Sequence, residues 1–143
     1  MDWDKIDDKL KTPEEKQAER EQVEAARKAE IRGYVREVAS RIVPDLQRLQ
    51  LTLAARAKEQ VSLEYGGRRT RVVVGALSIG FEVSEDGLSF AFIVDGNVRP
   101  VLFNRQQGFE HWQLQGSPTN QPFDVDLYFE REVHQFVDRV PKK

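Results

Sequence analysis

From Ile31 onward the apolar positions Ile31, Val35, Val38, Ile42, Leu46, Leu49, Leu53 and Ala57 recur at steps of three or four residues. That spacing keeps the side chains on one helical stripe and predicts a core helix. Upstream, Thr12-Pro13-Glu14-Glu15 combines a capping hydroxyl, a proline at the first helical position and a glutamate at the third. This is a capping box, so the helix is expected to run from about residue 13 to about residue 60. Between Pro13 and Glu30 it carries mostly charge, Gln and Ala, with Ala18, Val23, Ala25, Ala26 and Ala29 as its apolar content. Such a segment is helical by propensity and by pairs such as Glu24 with Lys28, but it has little to bury. Pro44 cannot donate to the Ser40 carbonyl and its ring crowds it, so a kink or a break with immediate restart is expected there. Gly33 sits where the polar half gives way to the apolar half, a place where a close helix approach would explain it.

After Gln60 the period becomes two. Val61, Leu63 and Tyr65 alternate up to Gly66-Gly67, and Arg69 to Val74 returns. Leu77, Ile79, Phe81 and Val83 alternate out of phase with Val72 and Val74, which calls for a turn or bulge near Gly75, or a long bent strand. Glu85-Asp86-Gly87 closes a turn before Leu88, Phe90, Phe92 and Val94, and Asp95-Gly96 is the strongest hairpin signal in the chain. Val98 to Phe103 follows, with Pro100 placing that strand at an edge or a bulge. Residues 104–124 are less regular: Trp112 and Leu114 fit a short strand, His111 falls in a loop beside them, and Gly116 to Pro122 reads as a loop. Asp124 or Asp126 is placed to cap a last helix whose Val133, Phe136, Val137 and Val140 share a face. The predicted fold is α+β: a long amphipathic N-terminal helix, kinked near Pro44, packed on an antiparallel meander of four to six strands, with a C-terminal helix. Residues 1–30 form an acidic segment and a projecting polar helix, and residues 31–143 form one domain.

Composition narrows the chemistry. A chain of 143 residues suits one domain. With no cysteine it has no disulfide, no thiolate nucleophile and no thiolate-held zinc or iron–sulfur site. The start at Met1-Asp2-Trp3-Asp4 lacks the basic residues and apolar run of a signal peptide, and no stretch has the roughly 20 apolar residues of a membrane span. The expected location is the cytoplasm, with no membrane contact. Residues 1–30 are net acidic, 31–75 net basic and 76–143 net acidic, within a total of −2. Either the basic middle meets phosphate groups, or the acidic ends fold back on it.

Three groups of residues are candidates for function. Trp3, Ile6 and Leu10 lie on one potential helical face among Asp2, Asp4, Asp7 and Asp8, and with Val23 and Ala26 they form a partner-binding candidate. The alternative for Trp3 is a contact with this chain's own core or basic middle. Arg68, Arg69 and Arg71 at a hairpin tip suit phosphate or nucleic acid, with Arg32, Arg36 and Arg41 as a possible extension; their plainer role is pairing with Glu64 or the acidic termini. Glu130 and His134 share a face of the last helix at i, i+4, a spacing that could hold two ligands of a metal, with Asp126 one turn earlier; more simply the three line its wet side. His111 has no partner by spacing that would make it a general base. No cofactor or metal is expected and no catalytic group stands out. The reading is a non-catalytic protein-interaction or assembly module, self-associating or binding a partner protein through the N-terminal helix. Nucleic-acid or phospholigand binding at the arginine hairpin is the first alternative. A small-molecule site or small enzyme in a sheet–helix cavity is the second.

Overall fold

The computed structural model describes residues 1–106, 109–117 and 122–143. Helix α1 spans Trp3–Leu10 and helix α2 spans Pro13–Ala54. Six strands follow: β1 (Val61–Gly66), β2 (Arg69–Val74), β3 (Leu77–Val83), β4 (Phe90–Val94), β5 (Asn97–Gln106) and β6 (Phe109–Leu114). Helix α3 (Val125–Arg139) ends the fold. The strands form one antiparallel sheet in the order β1-β2-β3-β4-β5-β6, so the architecture is the α+β layer fold that the periodicities predict. No helix among the described residues is long and apolar enough to cross a membrane.

Thr12 caps α2 through Oγ1, which accepts from the Glu15 amide at 3.1 Å. Val35, Val38, Ile42, Leu46 and Leu53 on α2 are buried. Each contributes up to about 1.5–3 kcal/mol by leaving water. Carrying that stripe back past Ile31 by whole turns reaches Lys28, Glu24, Glu21 and Gln17, none of which can enter a core. None of residues 1–30 is buried. It runs without a break through Pro44, which is exposed together with Ser40, so the carbonyl that loses its partner faces solvent. No atom lies within 4 Å of where a Cβ on Gly33 would stand, so the close approach expected there is not made. The helix ends at Ala54 rather than near residue 60. Ala57 is buried as expected, but in an extended bridge to Lys142, with the Lys58 amide donating to the Pro141 carbonyl.

Both helices lie on one face of the sheet. The phase slip near Gly75 is a two-residue turn that pairs Val74 with Leu77 and so keeps both strands' apolar sets on the helix side. Asp95 and Gly96 both have positive φ, 51° and 83°, the left-handed pair that a tight hairpin of this hand requires. Val72, Ile79, Phe81, Phe90, Phe92 and Val101 fill the layer under the helices. Gly80 points to the other face, where a Cβ would come within 2.5 Å of Arg71 Cγ and 2.8 Å of the Thr70 carbonyl oxygen.

Three expectations need correction. The irregular stretch after Phe103 is largely β5 extended to Gln106 and paired with β6; residues 118–121 of the predicted loop lie outside the described residues. Pro100 sits in an interior strand, opposite Ala91. Its carbonyl accepts from the Gln115 amide just past the end of β6, so its missing N–H falls where that ladder stops. His111 lies in β6, opposite Asn104, and is 7% exposed.

Helix α3 is capped by Asp124, whose side chain accepts from the Leu127 amide at 3.0 Å. Two polar ties fix it to the sheet. The Arg139 guanidinium pairs with Asp95, whose other carboxylate oxygen accepts from the Ser78 amide at 2.9 Å. Burial pushes the Asp95 carboxyl up, but the Arg139 and Ser78 bonds outweigh it and hold it below its ordinary value. A depressed folded-state carboxyl stabilises the protein above the unfolded-state value, and that contribution is lost as pH falls through the folded-state value. Asparagine tolerates the same positive φ, so Asp95→Asn should isolate the charge. Thermal melts below about pH 4 should show a shallower loss of stability for Asp95→Asn than for the parent chain. Parallel acid limbs would exclude the effect. The second tie joins Arg99 Nη1 to Tyr128 Oη at 2.5 Å and to Glu132 Oε1 at 2.8 Å.

Candidate functional site

The residues singled out for partner binding lie on a helical arm, α1 and residues 13–30 of α2, in which no residue is buried. Asp2 caps α1, accepting from the Asp4 amide at 3.1 Å and the Lys5 amide at 3.3 Å. The acidic start of the chain is therefore also what makes it helical. Lys11 joins α1 to α2 by ion pairs with Asp8 and Glu19, and its ammonium is raised above its ordinary value chiefly by the bond to Glu19. A hollow of about 600 Å³ lies at this corner, with Asp8, Lys16, Glu19, Arg20, Glu24 and Arg27 around the single apolar wall residue Val23.

On this arm Trp3 is 70% exposed, Leu10 75% and Val23 60%; Ala26 is exposed and Ile6 half-buried. Trp3 is not tucked into the core, one of the two roles its sequence context allowed. The stretch from Pro13 to Glu30 reaches about 27 Å at the helical rise. Its internal ties are solvent-facing, such as Lys28 to Glu24 at 3.3 Å and Gln17 to Glu21 at 3.2 Å. Exposed pairs of this kind contribute little to stability. At the root of the arm, Glu30 meets Arg105 at 3.0 Å and accepts from Tyr34 Oη at 2.7 Å.

The arginine hairpin is engaged locally. Arg71 grips Glu64 Oε2 through Nη2 at 2.5 Å and Nε at 2.9 Å, and Arg69 meets Glu82 at 3.2 Å. Arg68 donates to the Val83 carbonyl at 3.4 Å. The helix arginines go elsewhere: Arg32 donates to the Asp86 carbonyl at 2.9 Å, Arg36 to the Arg32 carbonyl at 3.4 Å, and Arg41 meets Glu37 and Asp126. A phosphate ligand would have to compete with carboxylates already in place on Arg69, Arg71 and Arg41.

On α3, Asp126, Glu130 and His134 are all exposed, with His134 Nε2 3.8 Å from Glu130. No group of three potential metal ligands converges among the described residues. The His111 ring packs on Phe109 at 4.7 Å between centroids, and neither ring nitrogen has a hydrogen-bond partner among the described residues.

A second concave site opens between α2 and the paired strands β5 and β6, a sheet–helix cavity of the kind the sequence allows but whose lining it does not single out. Tyr34, Glu37, Val38, Arg41, Phe103, Glu110, His111 and Trp112 line a cleft of about 320 Å³. The signal was present in strand phase, because Phe103 and Arg105 alternate onto the helix-facing side and Glu110 and Trp112 do the same on β6. It was obscured because neither strand was traced through residues 104–110.

Comparison of this chain with family models, curated proteins and solved structures found no match to any of them.

Proposed function

We propose that this protein is a non-catalytic interaction or assembly module that associates with itself or with a partner protein through its N-terminal helical arm. The observation that carries this reading is the arm itself: α2 continued beyond its last buried position, with α1 joined to it, leaving Trp3, Leu10 and Val23 in solvent. Burial of such residues against another chain would contribute the apolar area that they do not bury in their own domain. An amphipathic helix with aromatic and aliphatic anchors is a common form for docking into a groove or a bundle.

The core begins at Ile31 and Val35, so removal of residues 1–30 should leave a cooperative unfolding transition. Light scattering on the full chain and on the truncated chain tests self-association: an oligomeric mass that becomes monomeric on truncation supports it. Capture of a partner by the full chain, lost on combined Trp3→Ala, Leu10→Ala and Val23→Ala substitution, supports the hetero-association branch. A chain that is monomeric at tens of micromolar, with partner capture indifferent to these changes, would sink the proposal. The arginine hairpin is the weaker reading, since Glu64 and Glu82 already neutralise two of its three guanidiniums.

A further inference from the structure

We propose that the cleft between α2 and the paired strands β5 and β6 binds an organic cation, an alkylated ammonium group, against an aromatic wall rimmed by carboxylates. This site is separate from the arm and does not depend on the arm's role.

Tyr34, Phe103 and Trp112 form a continuous wall. Tyr34 and Phe103 are tilted with centroids 5.3 Å apart, and Phe103 and Trp112 meet edge-on at 5.1 Å. All three are only partly buried, so they still present ring surface to the cleft. The Arg105 guanidinium carbon already stands 5.8 Å from the Phe103 centroid, a cation over a ring within the wall itself. An alkylated ammonium is suited to such a surface because it is weakly hydrated and interacts with the negative ring face without needing hydrogen bonds.

The charges around the cleft favour the same ligand. Glu30, Glu37, Glu110 and Asp126 surround Arg41 and Arg105, so carboxylates outnumber guanidiniums. Arg41 is paired with Glu37 at 3.2 Å and Asp126 at 3.3 Å, and Arg105 with Glu30 at 3.0 Å, so both guanidiniums already have carboxylate partners. Arg105 Nε lies 3.1 Å from Glu110 Oε1, yet it is misaligned and makes no hydrogen bond. Glu110 thus meets the protein through one ion pair without a hydrogen bond. The Tyr34 hydroxyl donates to Glu30, which raises its pKa above the ordinary phenol value and keeps the ring neutral. The cleft volume of about 320 Å³ is at the small end for ligand sites and suits a compact head group.

The chain has two tryptophans, so Trp3→Phe in the full-length protein leaves Trp112 as the sole indole reporter. Choline is the probe, and its neutral carbon isostere, with a tert-butyl group in place of trimethylammonium, is the control. Choline should give a saturable change in Trp112 emission at constant ionic strength, and the isostere should not. Glu110→Gln and Tyr34→Leu, each made in the same background and checked for an unchanged circular dichroism spectrum, should each weaken choline roughly tenfold. A linear response, an equal response to the neutral isostere, a response to inorganic phosphate in place of choline, or unchanged affinity in both variants would overturn the assignment.

Discussion

Replacing Phe92 with alanine is expected to destabilise the protein by about 3–5 kcal/mol, enough to consume a large part of the stability of a domain this size. Phe92 is 1% exposed in the middle of β4, under α3. Its ring meets Phe81 and Phe90 on the sheet and Tyr128 and Phe129 on α3, with centroids between 5.2 and 6.0 Å. Truncation opens a cavity bounded by rings on two layers, which cannot collapse without moving α3. The loss therefore includes both the transfer of the ring and the contacts that its neighbours forfeit. Urea unfolding followed by circular dichroism measures it. A midpoint shift equivalent to less than about 1 kcal/mol would mean that the helix–sheet layer repacks freely, contrary to its close contacts.

Arg99→Ala is expected to cost about 2–3 kcal/mol, for a different reason. Arg99 stands in the same cross-strand row as Phe92, on the face that α3 covers, and Glu132 on α3 is 9% exposed. Removing the guanidinium strands the Glu132 carboxylate and the Tyr128 hydroxyl beneath the helix. The half-exposed position of Arg99 lets water reach part of that gap, so the loss falls below the value for a fully buried pair. The paired change Arg99→Leu with Glu132→Leu should recover most of the deficit, because it removes both desolvated charges at once. Denaturant unfolding of the two single variants and the double gives the coupling directly. Additive losses would show that the ion pair has no linked role in seating α3.

The helix stripe, the hairpin turn at Asp95-Gly96 and the last helix were legible because each follows a local rule: one period, one turn type, one cap. The first hairpin turns at Gly67-Arg68, one residue past the Gly66-Gly67 pair expected. What was missed depends on neighbours that sequence does not name. Pro100 argues for an edge, and only the ending of β6 at Leu114 explains how an interior strand accepts it. Arg99 shares strand phase with Val101 and Phe103, yet an arginine in an apolar row is intelligible only once Glu132 and Tyr128 are seen above it. Ala57 fits the helical stripe, but the C-terminal strand-like tail claims it instead. The arm shows the reverse case: alanines and charges at Pro13 to Glu30 announced a helix with nothing to bury, and their exposure follows from that. The aromatic cleft required β5 and β6 to extend through a stretch whose polar residues resemble a loop.

The sheet's spatial order is its sequence order, and this has a kinetic meaning. Each strand waits only for the next to emerge, across turns as short as Gly75-Ala76 and Asp95-Gly96, so the entropy of loop closure at each pairing step is small. The distant closures are left to the helices and the tail: α2 against the sheet and α3, α3 against the sheet, and Ala57 against Lys142. A ribosome releasing this chain from its N-terminus has the whole meander available before Lys142, which completes the bridge to Ala57, so the contact that ties α2's exit to the segment after α3 forms only once the sheet can already pair.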